Sequence, residues 1–481
     1  MQQTEYQSSL GQCLDKAIIF GLLFLMVFST LVFGTVEPWS IGIFSLVIVL
    51  LLFIWAIKAF SERRFELILP SSAFPLMLIL LYGAFQTISV MDEKGRRWSI
   101  SMDPEATRLT LEVMAALLVG LMLISGSLMS RDRLKLFANF LIFWGLAQSI
   151  FGMIQYFTWN GKYYWIFDPS VTPSSPFGSF VNHNHFAGYI EMIVPIPVAL
   201  IITSAIRGEL AMIYGFTAAI MGIATIVSLS RGGMLSLLAG LMFVIILGLR
   251  PAMMRREPSD MLRFPLFLSR VGASLVIIFT IGVGVLWVGG DAVINRVEKT
   301  ALPGEERTVS PGQARRESFF QARGWIWRDT GEIIKNNWGL GVGLGAFQTA
   351  YSIYSKHDGS LVVGQSHNDY LQILADCGII GGIAVLLFIF LLFRDILKAI
   401  KHRDPFLSGL ALGCGGGAFA MLVHSLFDFN LQLPSNALLF LSLSAAIYLV
   451  RRSAEEGSIR DAFFDRGSKF TRVAPEMEVW S

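Results

Sequence analysis

A histidine and two arginines in one polar stretch of this sequence are the residues best suited to chemistry. Residues 323–382 are rich in polar, aromatic and glycine residues and lie between two strongly apolar segments. Arg323 and Arg328 carry guanidinium groups, whose planar fork donates two parallel hydrogen bonds to phosphate oxygens. His367 carries an imidazole, which can take a proton from a hydroxyl group at neutral pH. These residue types predict a site that holds a diphosphate beside a base.

His367 lies in the segment GQSHNDYLQILADCG, residues 364–378. Apolar residues at helical spacing later in this segment predict a helix that begins at Ser366 or His367. The neighbouring Asn368 and Asp369 can orient the imidazole, and a helix N-terminus disfavours its charged form. The alternative is a histidine that only caps the helix or lies in its loop, and this segment alone does not decide between the two.

The two arginines lie on a different predicted element. Residues 323–337 have apolar positions at helical spacing and two tryptophans, which predicts a short helix at the membrane surface. Both guanidinium groups then lie near lipid phosphates, although an interfacial arginine can also simply extend its charge to the surface. The glycine-rich GLGVGLG that follows (339–345) has no GK[ST] after it. We therefore predict a flexible connector rather than a phosphate-binding loop.

Another arginine interrupts an apolar region earlier in the chain. Arg231, in SLSRGG, lies within about forty otherwise apolar residues, and an arginine at the end of a membrane helix normally lines a cavity or meets an anion. We expect Arg231 on the same side of the membrane as residues 323–382.

Histidines occur in two further motifs. The segment FGSFVNHNHFAGY (177–189) predicts a polar loop that lines a substrate cavity, with four polar residues in a row: Asn182, His183, Asn184 and His185. His183 and His185 lack a third metal ligand nearby, so we predict no metal site. His424 and Asp428 are four residues apart on one helical face. We interpret these two as a structural hydrogen-bonded pair rather than a catalytic dyad.

Composition places these motifs in a membrane protein. The chain has 481 residues, of which 54% are hydrophobic and only 15% charged, and its mean hydropathy is +0.60. A net charge of +3, spread over short loops, gives no indication of a nucleic-acid partner. The three cysteines lie far apart and indicate neither a disulfide framework nor a structural metal site. The fold class that we predict is an all-α polytopic membrane protein.

Apolar runs near the roughly 20 residues needed to cross a bilayer predict about 12 transmembrane helices. These runs are 17–33, 41–57, 72–90, 109–128, 134–157, 186–206, 210–229, 233–249, 271–289, 378–397, 407–426 and 436–450. The basic residues of the short loops place both termini in the cytoplasm, with residues 91–108 as the one exception. The insert of about ninety residues between helices 9 and 10 then faces outside.

Three motifs together resemble the O-antigen ligase and polymerase superfamily of bacterial envelope glycosyltransferases. They are SLSRGGMLSLLAG, RGWIWRDTGEIIKNNWGLGVGLGAF and SHNDYLQILADCGIIGG, and the resemblance covers about residues 178–434. It implies a metal-independent, GT-C type enzyme without a cofactor, in the bacterial inner membrane, with its active site at the periplasmic face. The predicted organisation is helices 1–9 in residues 1–289, a periplasmic catalytic loop in 290–377, helices 10–12 in 378–450 and a cytoplasmic tail in 451–481.

The resemblance also implies roles for single residues. Arg231 and Arg323 fall on the arginines that hold the diphosphate of an undecaprenyl-diphosphate-linked glycan, and His367 falls on the histidine that deprotonates or orients the acceptor hydroxyl. The acceptor is a glycan or lipid A-core. The family commonly has an Asn-Pro-Asn-like segment where this chain has histidines, which leaves the roles of those histidines open. We expect the substrates to be bound by Arg328, Asn368, Asp369, Tyr370, Asn182, His183, Asn184 and His185.

Two functions other than glycosyl transfer are compatible with these features. A secondary transporter would have its polar groups near the middle of the membrane, commonly in two related halves, whereas here they gather at one face and no repeat is visible. A flippase for lipid-linked sugars would share the ligand but would need polar residues through the whole membrane depth. Both therefore rank below an enzyme that transfers a lipid-linked glycan.

Overall fold

The structure is a computed structural model that describes residues 9–91, 97–167, 176–254, 311–355 and 362–470. It is mostly helical. The helices are α1 (Ser9–Leu31), α2 (Pro38–Glu62), α3 (Ala73–Gln86), α4 (Pro104–Ser127), α5 (Arg131–Phe157), α6 (His183–Ile193), α7 (Pro195–Ile202), α8 (Glu209–Val227), α9 (Arg231–Met254), α10 (Pro311–Asn337), α11 (Phe347–Tyr354), α12 (Asp369–Ala399), α13 (Pro405–His424) and α14 (Pro434–Phe470). Two short antiparallel strands, β1 (Val90–Met91) and β2 (Arg97–Trp98), lie between α3 and α4.

Ten helices in the described ranges are long and apolar enough to cross a membrane, counting α6 and α7 as one span. This confirms the prediction of a polytopic helical membrane protein. The helix found in the predicted run 72–90, α3, is shorter than expected. It has 14 residues and ends at the polar Gln86. The predicted run 271–289 lies outside the described residues.

The helices α6 and α7 form the centre of the bundle and are almost completely buried. They continue one another across Pro195 and pack against the glycine-rich face of α13. A Cβ atom on Gly417 would lie 2.0 Å from the carbonyl oxygen of Met192, and one on Gly413 would lie 2.5 Å from Cα of Ile196. The glycines of α13 therefore allow close helix packing.

The two ends of the bundle differ in their polar contacts. We call the end that carries Asp428 the upper end and the end that carries Asp395 the lower end. At the lower end, Asp395 is buried and lies 2.7 Å from the guanidinium group of Arg394 and 3.2 Å from that of Arg451. The pair of Asp395 with Arg451 connects α12 to α14 at the lower end.

At the upper end, a glycine-rich turn joins α10 to α11 and packs tightly on α12. In this turn, the backbone N–H groups of Val342 and Gly343 donate to the carbonyl oxygens of Ala375 and Asp376. The side chain of Gln86, fully buried at the end of α3, donates to Leu340 and Asp376 and accepts from the N–H of Leu344. The flexible connector that we predicted here is instead a closely packed turn.

An aspartate caps the lower end of α13. The Asp404 carboxylate accepts from the N–H groups of Phe406 and Leu407 and pairs with Arg131 at 2.7 Å. Burial alone would raise the pKa of Asp404, but the hydrogen bonds from Arg131 and the backbone hold it below its ordinary value of 3.8. Because the folded-state pKa is lowered, the stability that this carboxylate contributes is present above about pH 4 and is lost as the pH falls further.

We expect Asp404→Ala to destabilise the protein by about 1 kcal/mol at pH 7, the usual cost of removing a helix cap. The difference from wild type shrinks at pH 3, below the ordinary pKa of 3.8, because the unfolded chain then binds a proton that the folded carboxylate takes up only at lower pH. Asp404→Asn is the matched control, because asparagine retains the capping oxygen and loses only an exposed ion pair. Thermal unfolding in detergent at both pH values measures the effect, and a larger loss for Asn than for Ala would contradict it.

Candidate active site

His367 and Asp428 form a close pair at the upper end of the bundle. His367 Nδ1 lies 3.1 Å from Asp428 Oδ1, although the two residues are 61 positions apart in the chain. The His367 side chain is 23% exposed, whereas that of Asp428 is 1% exposed. His367 has a φ angle of 53°, in the left-handed region that a non-glycine residue rarely adopts. A strained backbone that holds a half-buried imidazole against a buried carboxylate is typical of a functional site.

Asp428 lies in the connection between α13 and α14, and several groups converge on its carboxylate. The side-chain amide of Asn184 donates to Oδ2 at 2.6 Å, and the backbone N–H of Phe429 donates to Oδ1 at 2.9 Å. The guanidinium group of Arg323 lies 3.6 Å from Oδ2. Three separate segments of the chain thus meet at this one side chain.

The charge state of Asp428 determines which imidazole nitrogen of His367 is protonated. Burial alone would raise the pKa of Asp428, but the hydrogen bond of His367 and the interactions with His185 and Arg323 hold its pKa well below the ordinary range. Asp428 is therefore ionised at neutral pH and accepts a hydrogen bond from Nδ1–H of His367. The other nitrogen, Nε2, then has a free lone pair and can accept a proton from a substrate.

Residues 368–370 hold the loop that carries Asp428. Asn368 is the N-cap of α12, one residue after His367, and its amide also donates to the carbonyl of Leu426. Asp369 is half-buried and accepts from the hydroxyl of Ser425, and the hydroxyl of Tyr370 donates to Leu422. The helix thus begins slightly later than we predicted. Asn368 and Asp369 bind the segment before Asp428, and the carboxylate that orients His367 is that of Asp428.

Helix α10 carries both arginines of the predicted phosphate site, but their side chains have different neighbours. Arg323 points towards Asp428 and is 29% exposed. Arg328 is 58% exposed and lies 3.3 Å from the carboxylate of Asp329, the next residue. The indole N–H of Trp327 donates to the carbonyl of Ser366, which attaches α10 to the residue before His367. Arg323 and His367 are therefore brought together, and Arg328 is not paired with Asp428.

Arg231 is the first residue of α9 and lies at the upper end, as predicted from the sequence. The next residue, Gly232, packs against the loop that leads to Asp428. A Cβ atom on Gly232 would lie 2.9 Å from Nε2 of His424 and 3.6 Å from Cβ of Phe427. The first turn of α9, with the half-buried Arg231, thus adjoins the segment 424–428.

The polar motif 182–185 forms the start of α6. Some of its side chains face the site, and others lie in the interior of the protein. Asn182 caps the helix, and Asn184 reaches Asp428. His183 is half-buried, whereas His185 is buried with its ring 4.9 Å from that of Phe429, whose ring also lies 4.9 Å from that of His367. The structure therefore places His185 against the residue after Asp428.

The predicted pairing of His424 with Asp428 is wrong for their side chains. Nδ1 of His424 lies 3.0 and 3.1 Å from the two carboxylate oxygens of Glu191, in α6, while Asp428 turns to His367. Only their backbones are joined, by a hydrogen bond from the N–H of Asp428 to the carbonyl of His424. The helix ends at His424, so the two side chains do not share one helical face.

Sequence reasoning paired Asp428 with the wrong histidine and missed Glu191 as the partner of His424. A signal was available for each, since both are carboxylates within largely apolar sequence, where an ionisable residue is costly and commonly functional. In the part of the chain that the structure describes, no cluster of three or more His, Cys, Asp or Glu side chains is suited to hold a metal ion.

Part of the chain that carries these residues is similar to a known protein family. Residues 216–404 match the family model of the O-antigen ligase domain, Wzy_C. The match confirms the resemblance to the O-antigen ligase and polymerase superfamily and contains Arg231, Arg323 and His367. It ends before Asp428. No curated protein matches the chain.

Proposed function

We propose that this chain transfers a glycan from undecaprenyl diphosphate to an acceptor hydroxyl group, as an O-antigen ligase or a polysaccharide polymerase. The observation that carries the proposal is the meeting of Arg323 and His367 at the buried carboxylate of Asp428. A cation and a base held on one carboxylate provide the two groups that glycosyl transfer from a diphosphate needs. The family match supports the same class of reaction.

The arginines serve the donor. Arg231, at the N-terminus of α9, and Arg323, on α10, bind the diphosphate oxygens and stabilise the negative charge that develops as the bond to the sugar breaks. The contact between Arg323 and Asp428, at 3.6 Å, is an ion pair longer than a hydrogen bond. We assign the guanidinium N–H groups of Arg323 as donors to the diphosphate.

His367 serves the acceptor. Its Nε2 takes the proton of the acceptor hydroxyl as the oxygen attacks the anomeric carbon of the donor sugar. The carbon–oxygen bond to the diphosphate breaks on the opposite side, so the anomeric configuration inverts and undecaprenyl diphosphate leaves with the bonding electrons. Asp428 is a positioning residue, since it holds the proton on Nδ1 and stabilises the imidazolium that forms. The proton then passes from His367 to solvent.

The proposal includes a location and a topology. The chain is a multi-pass protein of the bacterial inner membrane with about 12 transmembrane helices and a GT-C type architecture, including the predicted helix at 271–289 outside the described residues. The upper end is periplasmic, and both termini are cytoplasmic. The acceptor is a glycan or lipid A-core, and neither a metal ion nor another cofactor takes part.

Purified protein in detergent with EDTA tests the proposal. Wild type is incubated with an undecaprenyl-diphosphate-linked glycan and candidate acceptors, and release of undecaprenyl diphosphate is measured. We expect Arg231→Ala and Arg323→Ala each to lower the turnover number about 100-fold, as for removal of one group that stabilises transition-state charge. Arg328→Ala is the matched comparison. We also expected Arg328 to bind substrate from the sequence, but its side chain is exposed and pairs with Asp329, so this variant should lose far less.

Two outcomes distinguish the possible functions. A ladder of product sizes indicates a polymerase, and a single transfer indicates a ligase. If no acceptor class supports release while the protein still binds the donor, the transferase proposal fails, and a lipid-linked sugar flippase or a secondary transporter becomes the better interpretation.

A further inference from the structure

A buried carboxylate in α6 has no part in the steps proposed above. Glu191 is fully buried, in the apolar second half of α6. Both of its oxygens lie within 3.1 Å of Nδ1 of His424, which is itself 1% exposed. Removing a carboxylate from water inside a membrane protein is costly unless it is paired. The presence of this pair therefore calls for a role that an apolar pair would not fill.

The opposite edge of the His424 ring contacts the start of α9. A Cβ atom on Gly232 would lie 2.9 Å from Nε2 and 3.1 Å from Cδ2 of His424. The imidazole thus lies between Glu191 on one side and the backbone of Gly232 on the other. Any side chain at position 232 would displace either this ring or the first turn of α9.

A second close contact fixes the same turn from another direction. A Cβ atom on Gly233 would lie 2.5 Å from Cβ of Ala187 in α6, and the N–H of Gly233 donates to the hydroxyl of Ser230. The first turn of α9 is therefore held by α6 and by the end of α13. Arg231 projects from this turn, so its direction depends on these two contacts.

The same histidine also begins the turn that ends at Asp428. The carbonyl of His424 accepts from the N–H groups of Phe427 and Asp428 at 2.8 and 3.0 Å. His424 thus contacts the helix of Arg231 through its ring and the carboxylate-bearing loop through its backbone. The spacing between the two halves of the site depends on where this ring is held.

We propose that the Glu191–His424 pair is a positioning device for Arg231. Glu191 fixes the ring of His424, the ring supports the first turn of α9 at Gly232, and the turn directs the guanidinium group of Arg231 towards the diphosphate. This inference rests on the proposed function, because the ligand of Arg231 is assigned there. Glu191 and His424 themselves touch neither the donor nor the acceptor.

A double-mutant cycle on binding separates this role from a general structural one. The probe is undecaprenyl diphosphate alone, titrated onto the full-length protein in detergent. We expect Arg231→Ala to weaken binding about 100-fold and Gly232→Ala about tenfold. Because Gly232 acts through Arg231, the double variant should bind about as weakly as Arg231→Ala alone, so the two effects do not add.

Matched variants complete the experiment. Gly42→Ala, at an exposed position in the second turn of α2 where a Cβ atom meets nothing within 4 Å, should bind like wild type. Glu191→Gln retains an oxygen that accepts from Nδ1–H of His424 and should stay within about threefold of wild type, whereas Glu191→Ala should lose as much as Gly232→Ala. The Michaelis constant for the acceptor should not change in these variants.

Two results would overturn the inference. One is an additive loss in the double variant, and the other is wild-type binding by both Gly232→Ala and Glu191→Ala. If Gly232→Ala does not fold, the same double-mutant cycle with Glu191→Ala in its place tests the inference. If the proposed function itself is wrong, the result is different: the wild-type protein then neither binds undecaprenyl diphosphate nor releases it from a glycan donor.

Discussion

Asp428→Asn lowers the turnover number by about 10³–10⁴-fold while the protein remains folded, because asparagine has nearly the same shape but not the same hydrogen-bonding groups. In wild type, the carboxylate accepts from His367, Asn184 and the backbone of Phe429. An amide cannot accept from all of these donors. Because the amide is neutral, it also does not stabilise the imidazolium that forms when His367 takes the proton of the acceptor hydroxyl.

The expected effect is on turnover and not on donor binding. Initial rates at saturating donor and acceptor give the turnover number, and binding of undecaprenyl diphosphate should stay within about threefold of wild type. His367→Ala should lose a similar factor, and the double variant should be no slower, since the two residues act as one unit. Asn184→Ala is the graded control, because it removes one donor and leaves the carboxylate in place. Turnover within tenfold of wild type for Asp428→Asn would refute the assigned role.

Gly341→Ala prevents the upper end of the bundle from folding correctly. Gly341 has a φ angle of 71°, in the left-handed region, and a Cβ atom there would lie 2.3 Å from the carbonyl oxygen of Asp376 and 2.6 Å from the backbone nitrogen of Cys377. Both neighbours are backbone atoms of α12, which cannot rotate away as a side chain can. Overpacking and backbone strain together cost about 3 kcal/mol or more.

Gly339→Ala is the matched control for this prediction. It lies two residues earlier in the same turn, where a Cβ atom would meet nothing within 4 Å. The thermal unfolding midpoint and the yield of monodisperse protein in detergent measure both variants. We expect Gly339→Ala to resemble wild type and Gly341→Ala to be obtained poorly, with a clearly lower midpoint. Equal midpoints for the two variants would mean that the contact with α12 does not support the fold.

Local sequence predicted the helices well because their lengths follow from apolar composition. The runs 186–206 and 407–426, for example, correspond to α6–α7 and α13. Arg231 was correctly expected at the same end as His367, because a charge at the end of a membrane helix has few stable positions. These inferences needed only the residues of one segment.

Contacts between distant segments were not predictable in the same way. The partner of His424 is Glu191, 233 residues earlier, and the partner of His367 is Asp428, 61 residues later. Spacing within one helix suggested that His424 and Asp428 were a pair, but α13 ends between them and sends their side chains apart. Likewise, we predicted that glycines 341, 343 and 345 form a flexible connector. The atoms that they approach lie on α12 and near the start of α4, and contacts with such distant segments cannot be inferred from the local sequence.

Helix α12 is interrupted at Gly378, and this interruption has a mechanical consequence. Gly378 has φ and ψ angles of 57° and −147°, and a glycine between two helical segments could be taken for a hinge. Here the bend is immobilised: a Cβ atom on Gly378 would lie 2.7 Å from the carbonyl oxygen of Trp338, which also accepts from the N–H of Ile379. The part of α12 before Gly378 and the long membrane segment after it therefore move as one rigid body. We therefore expect any movement of α12 that admits a substrate to leave the angle at Gly378 unchanged.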